Sequence, residues 1–325
     1  MGAMMSEDST TRSEGSSGYV SSEGSFERKS HYIPERITRD GRDGFPVEPG
    51  RYRLAVSRAC PWAHRMILTR HLLGLQDVIS MAVAGPVHDD DSWTFDLDPG
   101  GVDPVLGIPK LKDAYDARPE GYPDSGVTVP AFVDTTTGRV VTNDFHQMVK
   151  DLVTEWGDHQ APDAPDLWPE HLRDEIEEVS DLVYADVNNG VYRCGFAGSQ
   201  EAYDEAFEQL FSRLDWLSER LSNQRYLVGD QLTLADVRLW PTLVRFDAAY
   251  HGHFKCNRHK LTEMPVLWAY ARDLWQTWDF GSTVDLEHVK AHYYATHRDI
   301  NPTGVVPLGP DTSGWTTPHG RDALG

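Results

Sequence analysis

The sequence is poor in cysteine and in basic residues, and it has no long hydrophobic run. Its 325 residues include only three cysteines, Cys60, Cys194 and Cys256, at spacings that fit neither a disulfide framework nor a zinc site. Lysine and arginine total 30 against 51 aspartates and glutamates, giving a formal net charge of -21 and no basic cluster for nucleic acid. No apolar run approaches the roughly 18 residues of a membrane span, and the opening residues lack the apolar centre of a signal peptide. We therefore expect a cytoplasmic protein with no nucleic-acid or membrane partner.

Aromatic and aliphatic residues are plentiful enough for a large core. Hydrophobic residues make up 39% of the chain, with 10 Trp, 13 Tyr and 11 Phe. Residues 1–30 are instead rich in Ser, Gly and Glu, and we predict that they are disordered. The folded part therefore begins near residue 31.

The pattern over residues 31–155 predicts a thioredoxin-like domain. Residues 51–57 and 78–84 have the composition of strands, and a helix is expected between them from Ala63 to before Gly74. After a long polar excursion, two further strands form an antiparallel pair, and a helix follows from about Asp144. The order βαβ then ββα is that of the thioredoxin fold.

The second half of the folded chain is predicted to be all-helical over residues 165–285. Two apolar stripes have helical spacing, the better one running from residue 203 to residue 221. Thr233 and Asp236 stand at capping-box spacing at the start of a third helix, which Pro241 is expected to kink. Residues 286–325 are predicted to be an ordered C-terminal extension with little regular structure. The fold class is therefore α/β plus all-α.

Cys60 stands out because it precedes Pro61 at the expected start of a helix. Backbone N–H groups and the helix dipole lower the pKa of a thiol there, which favours a nucleophilic thiolate over a buried structural cysteine. Ala63 stands where a second cysteine would resolve a mixed disulfide, so resolution must come from an external thiol. In thioredoxin-like folds a proline such as Pro130 is commonly cis and faces the sulfur, while Val129 offers main-chain groups to a peptide-like thiol. The alternative is an ordinary proline at a sheet edge.

Several sequence blocks in order resemble the Xi-class glutathione transferases, the glutathionyl-hydroquinone reductases. The resemblance spans about residues 25–310, and its blocks are CPWAHR (60–65), WTF (93–95), TVP (128–130), NNGVYRCGFA (188–197), LTLADVRLWPTLVRFDAAYHGHFKCN (232–257) and HYYATHRDINPTGVVPLGP (292–310). It implies a thioredoxin-like N-terminal domain, a helical C-terminal domain and a homodimer with an interface peculiar to the class.

The resemblance also implies a reaction, in which a Cys60 thiolate takes the thiol from a glutathionyl-hydroquinone and a second thiol resolves the mixed disulfide. Tyr192 and one of Tyr293 and Tyr294 would bind the hydroquinone oxygens, and Trp93 would contact the bound thiol compound. A buried structural role is the alternative for each of these aromatic residues.

The sequence departs from the family pattern at the expected thiol-binding site. Asp144 keeps the family's acid in shortened form, but Phe145 replaces the hydroxyl residue that receives the γ-glutamyl carboxylate. The usual arginine before TVP is also missing, and Ser125, Gly126 and Val127 occupy that region. The co-substrate is therefore either glutathione in an altered pose or another low-molecular-weight thiol such as mycothiol.

Other functions remain open at this stage. A general thiol-disulfide or dehydroascorbate-type reductase would need only the motif at Cys60, and a non-catalytic transferase-like interaction protein would need none of these residues. Cys194 and Cys256 lack a helix-start context and are expected to be inert and buried. No metal is predicted, because no pair of the C-terminal histidines has convincing ligand spacing with an acidic partner.

Overall fold

The N-terminal half of the protein is an α/β domain built on four strands. The computed structural model describes residues 31–89, 91–122 and 126–324, so the disorder predicted for residues 1–30 lies outside the described residues. The elements of this half are β1 (Tyr52–Val56), α1 (Pro61–Leu72), β2 (Ser80–Val83), α2 (Leu111–Asp116), β3 (Ala131–Asp134), β4 (Arg139–Thr142) and α3 (Phe145–Thr154).

The sheet has the order β2-β1-β3-β4, with β1 parallel to β2 and β3 antiparallel to both β1 and β4. All five residues of β1 are buried, because this strand has a neighbour on each side. The thioredoxin-like topology predicted from the sequence is confirmed. It brings the end of β1, from which α1 departs, beside the start of β3.

The excursion after β2 is ordered where the structure describes it, and it packs on the sheet. It contains the short helix α2, whose Leu111, Ala114 and Tyr115 are buried. A buried ion pair also fixes it, because the Arg53 guanidinium on β1 donates to Asp103 at 2.6 and 2.9 Å. This long connection is therefore part of the domain.

The second half of the described chain is helical. Its elements are α4 (Arg173–Val183), a π-helical turn (Tyr184–Asn188), α5 (Gly190–Gly195), α6 (Gln200–Ser222), α7 (Leu234–Arg245), a second π-helical turn (Phe246–Tyr250), α8 (Pro265–Thr277) and α9 (Leu286–Thr296). In the ranges the structure describes, none of the helices is both long and apolar enough to cross a lipid bilayer.

Helix α7 begins as the sequence predicts. The capping box of Thr233 and Asp236 is formed, and the Asp236 carboxylate accepts hydrogen bonds from the amides of Thr233 and Leu227 and from the Tyr270 hydroxyl. The helix continues through Pro241 and ends at Arg245, where the second π-helical turn follows. Every residue of α7 is buried, so this helix forms the centre of the helical half.

The prediction of little regular structure after residue 285 is wrong for α9. Asp285 caps this 11-residue helix by accepting a hydrogen bond from the His288 amide at 2.9 Å. The sequence did not indicate the helix because most of its buried side chains are polar or aromatic, so no apolar stripe marks its inner face; they are His288, Val289, Lys290, His292 and Tyr293. The segment that follows has short 3-10 turns at Ser313–Thr316 and Asp322–Leu324.

Candidate functional site

Cys60 is the N-cap residue of α1. The Ala63 amide donates to its sulfur at 3.5 Å, and Pro61 occupies the first turn, where its missing N–H costs no hydrogen bond. A sulfur that receives a helix-start N–H is better stabilised as an anion than as a neutral thiol. Cys60 is also partly exposed, so this sulfur has the two properties of a reactive cysteine.

The segment before β3 faces this sulfur. The Val129–Pro130 peptide is cis, and the Cys60 thiol donates to the Val129 carbonyl at 3.4 Å. The Tyr115 hydroxyl donates to the neighbouring Thr128 carbonyl at 2.8 Å, which fixes this stretch of backbone against α2. The main chain at Val129 is therefore held within hydrogen-bonding distance of the nucleophile.

The start of α3 is occupied by its own cap and by aromatic rings. The Asp144 carboxylate accepts from the His146 and Gln147 amides, so the first helical N–H groups already have an anionic partner. Phe145 is 4% exposed, and its ring stacks on the Trp62 ring with centroids 5.0 Å apart. Of the residues discussed for this subsite, Ser125 lies outside the described ranges. At the position where the family resemblance implies a hydroxyl, this chain therefore has an apolar wall.

Trp93 joins the excursion after β2 to helix α9. Its ring stacks on His292 with centroids 5.2 Å apart, and His88 packs against its edge. The His292 Nδ1–H donates to the Pro86 carbonyl at 2.8 Å, so this histidine anchors the excursion twice. Trp93 therefore packs on His292, which directly precedes Tyr293 in the sequence.

Three tyrosine hydroxyls meet in the helical half, and we call Tyr192, Tyr250 and Tyr293 the tyrosine cluster. The Tyr293 hydroxyl lies 2.6 Å from that of Tyr192 and 3.0 Å from that of Tyr250. The Tyr192 ring is near parallel to that of Trp62, two residues after the nucleophile, with centroids 6.4 Å apart. The cluster therefore lies across from the start of α1.

Burial keeps two members of the tyrosine cluster, Tyr250 and Tyr293, protonated. It raises the pKa of Tyr250 above its ordinary value and raises that of Tyr293 well above it. Both hydroxyls therefore carry their protons at neutral pH and are available as hydrogen-bond donors. Such donors stabilise an oxyanion when charge develops on a neighbouring oxygen.

The structure brings Tyr192 and Tyr293 together and leaves Tyr294 apart. The Tyr294 ring packs against His253 with centroids 4.6 Å apart. Sequence reasoning missed Tyr250, although it lies inside the block over residues 232–257. Its place within this block was the only indication in the sequence. No local pattern indicated that its hydroxyl contacts that of Tyr293, 43 positions away.

The other two cysteines are buried, and the described residues contain no grouping of side chains suited to a metal ion. Cys194 is 1% exposed and Cys256 is fully buried, as expected for inert thiols, and burial raises the pKa of Cys256 well above its usual value. Across residues 31–89, 91–122 and 126–324, no three His, Cys, Asp or Glu side chains are grouped so that they could hold a metal ion. Cys60 is therefore the thiol with a chemically active setting.

Two protein-family models match the chain. Residues 59–155 match the N-terminal domain of glutathione S-transferases, and residues 200–273 match their C-terminal domain. The first match begins beside Cys60, and the second ends within α8. These two matched ranges contain Cys60 and Tyr250.

Individual relatives match over most of their length. The glutathionyl-hydroquinone reductase YqjG of Escherichia coli is 39% identical over 92% of this chain and 93% of its own, and its glutathione-bound structure superposes with a TM-score of 0.84 over 90% of this chain and 96% of that one. A glutathione transferase from Gordonia bronchialis is 65% identical with a TM-score of 0.89, covering 91% of this chain and 92% of its own. A Xi-class transferase from Natrialba magadii is 40% identical with a TM-score of 0.85, covering 90% of each chain. The chain thus belongs to the glutathione S-transferase family, among its Xi-class members and the glutathionyl-hydroquinone reductases.

Proposed function

We propose that this protein is a thiol-dependent reductase that removes the thiol from S-conjugated hydroquinones, with Cys60 as the nucleophile. The observation that carries the proposal is the pairing of a helix-start cysteine with the tyrosine cluster. The cysteine provides the thiolate, and the cluster provides donors for the oxygens of an aromatic diol. YqjG, which is named for this activity, supports the same conclusion.

In the first half-reaction the Cys60 thiolate attacks the thioether sulfur of the conjugate. A disulfide forms between Cys60 and the sulfur of the conjugated thiol as the sulfur–carbon bond breaks. The electron pair of the broken bond stays with the ring, which is the leaving group. Carbon leaves sulfur readily only if the ring first adopts a keto tautomer, so that this electron pair is delocalised as an enolate. The keto tautomer already carries a proton on this ring carbon, so it is the enolate oxygen that takes a proton, which yields the free hydroquinone.

The tyrosine cluster acts on the ring oxygens during this step. Hydroxyls that remain protonated donate hydrogen bonds to the keto oxygen and to the enolate that replaces it. The Tyr192 and Tyr293 hydroxyls lie 2.6 Å apart, and in the proposed mechanism both donate to one substrate oxygen. The cluster thereby binds the oxyanion more strongly than the neutral substrate, which is the condition for lowering the barrier.

The second half-reaction needs an external thiol. Its thiolate attacks the sulfur bound to Cys60, releasing the Cys60 thiolate and the oxidised thiol dimer. Overall, one conjugate and one free thiol become one hydroquinone and one disulfide, so the ring carbon is reduced as the thiol is oxidised. Because Ala63 occupies the position of a resolving cysteine, no intramolecular disulfide competes with this step.

Two observations point to different molecules as the thiol co-substrate. Relatives bind glutathione, as in the glutathione-bound structure of YqjG, and this makes glutathione the first candidate. The capped start of α3 and the Phe145–Trp62 stack favour a thiol whose binding does not depend on a γ-glutamyl carboxylate. Mycothiol, whose sugar rings can stack on aromatic side chains, is the second candidate.

Intact-mass spectrometry tests both the mechanism and the thiol. The protein, Cys60→Ser and the control Cys194→Ala are incubated with glutathionyl-hydroquinone and, separately, with a mycothiolyl-hydroquinone. We expect one thiol adduct on the protein and on the control, none on Cys60→Ser, and its removal by excess of the matching free thiol. If neither conjugate gives an adduct while Cys60 still reacts with iodoacetamide, the reductase assignment is wrong and a general thiol-disulfide reductase takes its place.

The proposal includes a cytoplasmic location and a homodimer. A reaction that consumes a free thiol needs a compartment in which thiols stay reduced, which supports the cytoplasm. The Xi-class resemblance supports the dimer. Light scattering after size-exclusion chromatography measures the oligomer directly, and a mass equal to a single chain at micromolar concentration would rule the dimer out.

A further inference from the structure

Arg245, the last residue of α7, carries a buried positive charge next to the nucleophile's turn. The residue is 1% exposed. Among the residues that the structure describes, no Asp or Glu oxygen lies within the 4.0 Å of an ion pair with its guanidinium. Buried arginines are normally paired with a carboxylate, because an uncompensated charge is costly in a low-dielectric interior. The free-energy cost of burying Arg245 without a carboxylate partner suggests that the residue has a functional role.

Main-chain carbonyls take the place of the missing carboxylate. The Arg245 guanidinium donates to the carbonyl of Ala59 at 2.9 Å, to that of Arg58 at 2.7 Å and to that of Pro241 at 2.8 Å. Arg58 and Ala59 are the two residues directly before Cys60. Two of these charge-assisted hydrogen bonds, to Arg58 and Ala59, therefore fix the turn that presents the sulfur, the third anchors the guanidinium on its own helix α7, and the positive charge itself is left unneutralised.

A fourth hydrogen bond fixes the state of His64. Arginine can only donate, so the 2.9 Å contact between Arg245 and Nδ1 makes that nitrogen an acceptor. Nε2 then carries the proton and donates to the Thr283 hydroxyl at 2.7 Å, which donates onward to the Phe280 carbonyl. Burial, together with the neighbouring Arg245, holds the pKa of His64 well below its usual range. His64 is therefore neutral, and Arg245 supplies the charge.

This charge acts on the groups that surround the reaction. It opposes the effect of burial on the pKa of Tyr250 and of Tyr293, and Tyr250 in turn responds to the charge of Cys60. His288 on α9 also faces the turn, with its Nε2 3.2 Å from the Ser57 hydroxyl, and burial lowers its pKa. Arg58 carries the other positive charge at this turn and donates to the Thr283 carbonyl at 3.4 Å.

We propose that Arg245 is a positioning residue for Cys60, holding its turn through the Arg58 and Ala59 carbonyls and stabilising the thiolate with an uncompensated positive charge. The proposal rests on Cys60 as nucleophile and does not depend on which conjugate or thiol is used. A merely structural arginine would support folding and leave the acidity of the sulfur unchanged. The two roles therefore differ in one measurable quantity.

The test is the pH dependence of Cys60 alkylation by iodoacetamide, followed by intact mass between pH 4 and pH 9. Arg245→Gln keeps hydrogen-bond donors and removes the charge, whereas Arg245→Lys keeps the charge. We expect Arg245→Gln to raise the midpoint of the alkylation profile by about one pH unit and to slow alkylation roughly tenfold below that midpoint. Arg245→Lys should stay within about 0.3 unit of the unsubstituted protein.

Arg238 provides the matched control, because it is a buried arginine on the same helix whose guanidinium is paired with Glu177 at 2.9 Å. Arg238→Gln should lower the melting temperature and leave the alkylation midpoint unchanged. A wild-type midpoint in Arg245→Gln, whatever its melting temperature, overturns the proposal. If Arg245→Gln does not fold, a midpoint raised by a full unit in Arg245→Lys overturns it equally.

The readout separates this proposal from the proposed function. Iodoacetamide needs no hydroquinone, so a protein that fails to turn over either conjugate still yields an alkylation profile. Failure of the reductase assignment would leave the Arg245 result standing. Failure of the Arg245 result would leave Cys60 as a nucleophile activated by its helix start alone.

Discussion

Tyr293 carries the central hydroxyl of the tyrosine cluster, since it contacts both Tyr192 and Tyr250. Tyr293→Phe removes that hydroxyl and leaves the Tyr192 and Tyr250 hydroxyls without their shared partner. We expect kcat for the hydroquinone conjugate to fall by about 10²-fold, with Cys60 alkylation unchanged. Tyr294→Phe, the adjacent substitution, should retain most of the activity because that ring packs on His253. The reverse order of effects in steady-state kinetics would show that the other tyrosine binds the substrate.

Phe145 offers a second test at the scale of one residue. Phe145→Ser introduces the hydroxyl that the family resemblance implies at this position and removes the ring that stacks on Trp62. If the γ-glutamyl carboxylate binds at the start of α3, the new donor should lower KM for glutathione by about tenfold. Phe145→Leu is the control, because it removes the ring without adding a donor. An equal change in both variants would show that the ring alone controls thiol binding.

At the scale of elements, the capping box at the start of α7 gives a direct test of local stabilisation. Asp236 is fully buried and accepts four hydrogen bonds, from Leu227, from Tyr270 and from both the amide and the hydroxyl of Thr233. Asp236→Ala leaves these buried donors unpaired, so we expect it to lower the free energy of unfolding by about 3 kcal/mol or more. Thr233→Ser keeps the box and should cost less than about 1 kcal/mol. Urea denaturation of both variants measures the difference, and equal losses would mean that the box is not the source of stability.

The two π-helical turns are the elements that place the tyrosine cluster. One runs over Tyr184–Asn188 and precedes α5, which carries Tyr192, and the other runs over Phe246–Tyr250 and ends at Tyr250 itself. A π-helical turn inserts one residue into a helix and rotates everything after it, which is why such turns recur at functional sites. Here the second π-helical turn follows α7 directly and ends at Tyr250, whose hydroxyl contacts that of Tyr293.

What the sequence could predict depended on whether the cause was local. Three predicted features each depend on residues a few positions apart: the cap at Thr233, the helix start at Cys60 and the apolar stripe of α6. The structure contains all three. Helix α9 was missed because its inner face is made of histidines and Tyr293, whose burial depends on partners elsewhere in the fold. Tyr250 and Arg245 were missed for the same reason, since their contacts with Tyr293 and with Ala59 cross between elements. Sequence spacing does not encode such contacts.

At the scale of the whole molecule, buried neutral histidines make stability depend on pH. Burial lowers the pKa of His253 to about 4 and that of His292 to about 3, and it also lowers those of His64, His288 and His297. In the unfolded chain these groups have a pKa near 6.5, so below that pH the unfolded state binds more protons than the folded state. Their contribution is therefore complete above pH 6.5 and is lost as the pH falls toward 4.

We accordingly expect the free energy of unfolding to decrease between pH 7.5 and pH 5.5 by up to about 1 kcal/mol for each of these histidines. Urea denaturation at both pH values and constant ionic strength measures the change. His292→Asn keeps a donor for the Pro86 carbonyl and removes one titration, so its pH dependence should be shallower. A free energy that is constant or rises on acidification would contradict the expectation.

Because Cys60 has no accessible partner thiol in the described chain, a reductase of the proposed kind depends on free thiol, and its behaviour changes when free thiol is scarce. Its two fellow thiols are buried, at Cys194 on α5 and at Cys256 beyond the second π-helical turn, and Ala63 closes off a partner within its own helix. Without free thiol, each molecule completes a single half-cycle and then stops with one equivalent held in a mixed disulfide. The amount of protein then becomes a stoichiometric ceiling on hydroquinone release, and the population arrests in the oxidised form. Added thiol returns all of the arrested protein to the reduced form. The rate of hydroquinone release therefore follows the supply of thiol and not the supply of conjugate.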